Sequence, residues 1–292
     1  MPPDVTRSGN GSSGQALAQS LLRELEDLAV SAARAAGRFI VDDRPAALGV
    51  AGTKSSINDI VTVMDQQSEA LLRRHLLEAR PDDAILGEED GASEGVSGVT
   101  WVIDPIDGTV NYLYEIPAYC VSVAAVIGDT GTAGQWRPVA GAICNPLTGE
   151  IFHARVGGGA HVLAADEDTA IRVNTVDVLL QSLVATGFGY LPEVRARQGE
   201  VLCAILPEIR DIRRAGSAAL DLCAVACGTV DAYYESGLNP WDLAAGWIIA
   251  TEAGALVTGL NDMAPGQAAV VAAGPGIHAA LLSRLEALAP LR

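Results

Sequence analysis

The segment Trp101-Val-Ile-Asp104-Pro-Ile-Asp107-Gly-Thr109 is the most informative stretch of this 292-residue chain. An apolar strand ends in Asp104, and Pro105 opposes further sheet pairing because it has no N–H to donate. Asp107 follows three residues on, and Gly108-Thr109 can open a helix. Two carboxylates, with the carbonyl of Ile106 between them, can therefore face one point where the chain turns. Oxygen-only ligands suit Mg²⁺, Mn²⁺ or Ca²⁺ rather than zinc. Asp is also an ordinary turn and cap residue, so this segment alone leaves both roles open. Two more acidic sites have the same character. Glu88, Glu89 and Asp90 follow Ile85-Leu-Gly, and Asp242 opens an apolar helix after Asn239-Pro-Trp. Carboxylates that converge repel one another and resist ionisation without cations. With two or more divalent ions they form a phosphoryl-transfer site.

The elements that must position these acids follow from periodicity. Leu17, Leu21, Leu25, Leu28, Ala32, Ala35 and Phe39 recur at helical spacing. A loop marked by Pro45, Gly49 and Gly52 precedes a second helix, from near Asp65 to before Pro81. Strands are predicted over 84–87, 100–104, 120–127 and 139–144, with a hairpin over 151–162 turning at 157–159. The second half reads as strands over 183–188, 211–213, 231–235, 255–258 and 270–273. Helices are predicted over 193–206, 217–227, 241–253 and 277–287. Ser217 makes a good N-cap and Gly228 a good stop. Such mixing predicts an α+β layered sandwich in two lobes joined near residue 150, following a disordered leader over 1–14. The lobes span 15–150, with the metal site, and 151–292.

Composition narrows the function. The formal charge of −17 argues against nucleic acid as a partner, since its phosphates attract Lys and Arg. It does not exclude a phosphorylated small molecule, which bound cations can hold. No run approaches the ~18 apolar residues of a membrane span. Cys120, Cys144, Cys203, Cys223 and Cys227 are odd in number and lie in apolar segments without a C-x-x-C pair. They read as reduced, buried thiols of a cytoplasmic protein. His75, His153, His161 and His278 are scattered and receive no catalytic role.

The run Asp-Pro-Ile-Asp-Gly-Thr at 104–109, Gly-Glu-Glu at 87–89 and Trp-Asp-x-Ala-Ala-Gly at 241–246 resembles the signature of the inositol monophosphatase family. So does the stretch from Lys54-Ser-Ser-Ile-Asn-Asp59 to Asp65. The likeness runs from about residue 17 to the C-terminus, with four motifs in the family's order. It implies the αβαβα sandwich of the inositol monophosphatase and fructose bisphosphatase type, two or three Mg²⁺ ions (Mn²⁺ as a substitute), sensitivity to Li⁺, and a homodimer. Glu88, Asp104 and the Ile106 carbonyl would hold a first ion, and Asp104, Asp107 and Asp242 a second. Glu88 would help with a third. Asp65 and Thr109 would orient and deprotonate the attacking water, with Glu88 beside them in the catalytic set. The N–H groups of Gly108 and Thr109 would face the phosphate. Lys54 would lie on a loop near the metals, unless it is simply solvated. Asp59 would touch metal or support that loop.

The resemblance also places Gly216, Ser217 and Ala218 along the hydroxyl pocket. There Glu235 would accept from the sugar, alongside Asp107 and Asp242. The implied reaction is hydrolysis of inositol monophosphate to inositol and phosphate. Val110 stands where many inositol phosphatases have a second threonine and where related nucleotide and histidinol phosphatases tend to have lysine. The short segment between Glu89 and Trp101 would open the rim to more substrates. A fructose 1,6-bisphosphatase, with Arg213 and Arg214 taking a second phosphate, is one alternative. A non-catalytic regulatory scaffold is another.

Overall fold

A computed structural model describes residues 17–54 and 60–288. The expected leader and Asp59 lie outside the described residues.

Helix α1 (Gln19–Asp42) turns Leu22, Leu25, Ala29, Ala32, Ala36 and Ile40 to one buried face, as the spacing of its apolar residues requires. The ribbon β1 (Gly52–Thr53) and β2 (Ile60–Val61) leads into α2 (Val63–Ala79). Thr62, not a residue nearer Asp65, starts this helix. Its Oγ1 accepts from the Met64 N–H at 3.2 Å, while Asp65 Oδ2 accepts from the Thr62 N–H at 2.7 Å. This reciprocal cap is a capping box.

Next come β3 (Ala84–Gly87), β4 (Gly91–Ser93), β5 (Val99–Asp107), the short α3 (Thr109–Leu113), β6 (Cys120–Gly128) and β7 (Trp136–Asn145). β8 (Glu150–Arg155), β9 (Gly159–Ala164) and β10 (Glu167–Ala170) complete one eight-stranded sheet, ordered β10-β9-β8-β7-β6-β5-β3-β4. Only β3 and β5 pair in parallel. Side chains alternate across it, as a pleat demands. Trp101 and Ile103 join α1 and α2 in one apolar cluster, and Val102 points into another on the opposite face.

Two expectations change here. The strand expected to end at Asp104 continues to Asp107. Asp104 pairs with Ser122 and Asp107 with Cys120, so β5 carries one residue more than its partner across this interval. That irregularity accommodates Pro105, which a regular ladder would exclude. The seam expected near residue 150 lies within the eight-stranded sheet. A tight turn, with the Gly149 N–H bonded to the Asn145 carbonyl at 3.0 Å, returns the chain onto β7. Residues 150–170 thus extend the first sheet.

The remainder is β11 (Leu183–Thr186), α4 (Pro192–Ile205), β12 (Asp211–Arg213), α5 (Ala218–Ala226), β13 (Ala232–Glu235), α6 (Pro240–Glu252), β14 (Leu256–Thr258), β15 (Val270–Ala273) and α7 (Pro275–Leu288). Its five strands are ordered β12-β11-β13-β15-β14. Three apolar clusters stack the layers: α1 and α2 on the first sheet, α5 and α6 between the sheets, α4 and α7 beyond the second. This is the expected αβαβα sandwich. The cysteines are free, and Cys120, Cys144 and Cys223 are buried. No described helix is long and apolar enough to cross a membrane.

Candidate active site

Asp104 and Asp107 flank the bulge of β5, and Asp242 stands in the first turn of α6. One oxygen from each lies within 4.8 Å of the others. Their orientation is fixed locally. Asp104 Oδ1 accepts from the Ile106 N–H at 3.0 Å, and Asp242 Oδ2 from the Asn239 N–H at 2.7 Å. Asp107 Oδ2 accepts from Ser217 Oγ at 2.6 Å and from the Ala219 N–H at 2.7 Å. Burial, followed by the charges of Glu88, Asp107 and Asp242, pushes the Asp104 carboxyl well above the usual range. Burial, Glu88 and Asp107 do the same to Asp242. An all-oxygen cluster that resists carrying its own charge fits a divalent cation.

Glu88 begins the turn after β3. Burial pushes its carboxyl up to about 7, against the pull of Lys54. Lys54 Nζ bridges Glu88 Oε1 at 2.8 Å and Glu89 Oε1 at 2.7 Å. Lys54 thus sits at the acids rather than free in solvent. Buried Glu69 of α2 accepts from the N–H groups of Glu89 and Asp90 at 2.8 and 2.9 Å, which sets the turn carrying Glu88. A Cβ on Gly87 would lie 2.3 Å from Glu69 Oε1, so glycine is required there.

Asp65 stands behind this cleft. Its Oδ2 is occupied by Thr62, while its Oδ1 accepts from Thr109 Oγ1 at 3.0 Å. Thr109 Oγ1 is also 3.0 Å from the Ile106 carbonyl. Burial raises the Asp65 pKa, outweighing bonds from Thr62 and Thr109. Gly108 is left-handed at φ 98° and brings Thr109 into the first turn of α3. Asn111 Nδ2 reaches the carbonyls of Ala118 and Ala215, at 2.7 and 2.9 Å, and so ties this turn to the loop before α5.

A cavity of about 550 Å³ opens over the cluster. Lys54, Glu88, Asp104, Ile106, Asp107, Gly108, Thr109, Gly216, Ser217, Ala218, Glu235 and Asp242 all line it. Asp65 stays behind the wall, reaching it through Thr109. Ser217 is the expected N-cap, its Oγ accepting from the Leu220 N–H at 3.3 Å, and the same Oγ donates to Asp107. Glu235 Oε2 accepts from Tyr233 Oη at 2.6 Å. Burial pushes the Glu235 carboxyl up to about 7, against Tyr233 and Arg214. A Cβ on Gly187 would fall 1.9 Å from Glu235 Oε2, so glycine there makes room for the carboxylate. Of the two arginines, Arg214 lines the cavity, whereas Arg213 is paired with Asp211 at 2.7 Å.

Sequence reasoning overlooked Glu69, Phe188 and Asp221. Glu69 carried a readable signal, an acid one turn before Arg73 on α2. Asp221 carried another, a lone acid in the apolar run Ala-Ala-Leu-Asp-Leu-Cys.

An αβαβα sandwich whose two sheets both contribute to an acid-lined cleft has the donor set and the room for divalent cations beside a small ligand. The family model described as the inositol monophosphatase family matches residues 21–289, and the chain belongs to that family. It is 47% identical over 244 residues to the inositol-1-monophosphatase of Mycobacterium bovis, covering 82% of each chain. It is 38% identical over 235 residues to the Nus factor SuhB of Vibrio cholerae, covering 80% of this chain and 84% of that one. The solved structure of Mycobacterium tuberculosis SuhB superposes with a TM-score of 0.73 at 41% identity, over 94% of this chain and 98% of that one.

Proposed function

We propose that this protein hydrolyses inositol monophosphate to inositol and phosphate with Mg²⁺. The observation that carries the reading is the Asp104, Asp107 and Asp242 cluster at the floor of a cavity whose wall bears Glu235. Glu88, Asp104, Asp107, Asp242 and the Ile106 carbonyl would hold two or three ions, with Mn²⁺ as a substitute. Bound ions supply Lewis acidity, lowering the pKa of water and stabilising a leaving oxygen. Asp65 holds Thr109 Oγ1, and together they orient the attacking water and take its proton at Asp65 Oδ1. The N–H groups of Gly108 and Thr109 face the phosphate oxygens. Ser217 and Ala219 fix one oxygen of Asp107, so its carboxylate plane does not rotate as the ester arrives. Glu235 accepts from ring hydroxyls through Oε1. A homodimer in the cytoplasm belongs to the same reading.

Phosphate release from inositol 1-phosphate, fructose 1,6-bisphosphate, histidinol phosphate and adenosine 3′,5′-bisphosphate, with Mg²⁺ and with EDTA, tests it. We expect metal-dependent turnover led by inositol 1-phosphate and inhibited by millimolar Li⁺. Leadership by the bisphosphate would move the assignment to a sugar bisphosphatase using Arg214. No turnover of any ester would favour a second reading, a non-catalytic role, which the Nus factor name of the Vibrio relative supports.

A further inference from the structure

Asp221 is a buried carboxylate that neither the metal cluster nor the proposed reaction uses. It lies in the first turn of α5, where its N–H makes that helix's opening bond to the Ser217 carbonyl at 3.0 Å. Its neighbours on α5 are apolar, and Leu222 and Cys223 are fully packed. A carboxylate in such surroundings is costly unless its oxygens find donors. Among the described residues no protein donor bonds to it. It lines the cavity, on the same wall as Glu235. Arg214 is the cation that acts on it, against the charges of Glu235 and Asp107. The Arg214 guanidinium lies 5.9 Å from the Phe188 ring centroid.

Glu235 Oε2 is taken by Tyr233, which leaves one of its oxygens for a ligand. Asp221 leaves both of its own. The wall therefore presents three carboxyl oxygens, more than a simple alcohol can bond. We propose that Asp221 is a specificity-determining residue, bonding ring hydroxyls beside Glu235 and so selecting phosphate esters of polyols with several neighbouring hydroxyls. The proposal rests on the polyol-phosphate reading above. Burial and the charges of Glu235 and Asp107 push the Asp221 carboxyl up to about 8. A carboxyl that holds its proton offers a donor as well as an acceptor. A hydroxyl does both as well, so the two groups are complementary.

The test is the ratio of kcat/KM for inositol 1-phosphate to that for 4-nitrophenyl phosphate, in the full-length protein with Mg²⁺. Asp221→Leu should lower this ratio about tenfold, the effect of losing a buried hydrogen bond. Asp221→Asn, which keeps a donor and an acceptor, should restore most of it. The leucine variant should melt no lower than the wild type, because it removes a buried polar group. Equal losses on both esters, or an unchanged ratio, would overturn the assignment of Asp221 while leaving the polyol-phosphate reading in place. A wild type that prefers the aryl ester overturns both.

Discussion

Two groups of acids among the described residues, one around buried Glu26 and one around Asp104, handle charge in opposite ways. On one side, Glu26 of α1 meets His153 Nδ1 at 2.8 Å and also pairs with Arg155. Asp168 lies 3.3 Å from His153 Nε2 and 3.2 Å from His161 Nδ1. Burial alone would raise the Glu26 pKa, but its bonds to His153 and Arg155 prevail and hold it below the usual range. In the cleft, Asp104 and Asp242 face other acids, and their pKa values move up. Lys54, the cation beside Glu88, is engaged by Glu88 and Glu89. A cluster that balances its own charge fastens α1 to the sheet. A cluster left acidic is arranged to take its cation from solution.

The contrast can be broken by exchanging charges one at a time. Asp107→Asn should lower kcat by orders of magnitude, yet leave the metal-free melting temperature at or above that of the wild type. The amide oxygen still accepts from Ser217, and a repelling charge is gone. Near-normal turnover would remove Asp107 from the site. Glu26→Gln should do the reverse. It strands Arg155 and His153, costing about 3 kcal/mol in denaturant titrations, while turnover per folded molecule holds. A stable variant would show that the latch contributes little.

Glu235→Gln should lower kcat/KM on inositol 1-phosphate about tenfold more than on 4-nitrophenyl phosphate, a loss of the size expected for a charged hydrogen bond. Equal losses would make Glu235 structural. The smallest effect concerns His153. Burial of the ring opposes protonation, but Glu26 and Asp168 outweigh it and raise the pKa. Stability from this histidine is complete below the unfolded value of about 6.5 and is lost as pH rises through the higher folded value. Melting temperature should therefore fall over that window in the wild type, and less so in His153→Gln. Parallel curves would remove His153 as the source.

Most of the layer order was legible because apolar periodicity is local. The helical spacing from Leu17 to Phe39 declares α1 whatever it packs against, although Leu22, Ala29, Ala36 and Ile40 are more deeply buried than Leu21, Leu28, Ala35 and Phe39. The convergence of Asp104, Asp107 and Asp242 was legible for another reason. Each acid sits at the end of an apolar element, where a solvated acid needs no such neighbour. What escaped depends on pairing at a distance. β10 is wholly exposed and, apart from Ala170, polar, so only its ladder to β9 makes it a strand. The continuation of β5 past Pro105 is decided by Cys120 and Ser122 on the facing strand. Glu69 looks like half of a surface helix pair until the turn after β3 folds onto it. Asp221 looks like a helix acid until β13 brings Glu235 to the same wall.

The hydrogen bonds that fix Asp107 come from Ser217 and Ala219, 110 and 112 residues further along the chain. Closing so long a loop is entropically costly and slow compared with forming a local helix. During synthesis β5 is complete well before its partners on α5 exist. Until α5 docks, Asp107 lacks both of these donors. Full assembly of the cleft therefore waits on long-range contact between the two sheets.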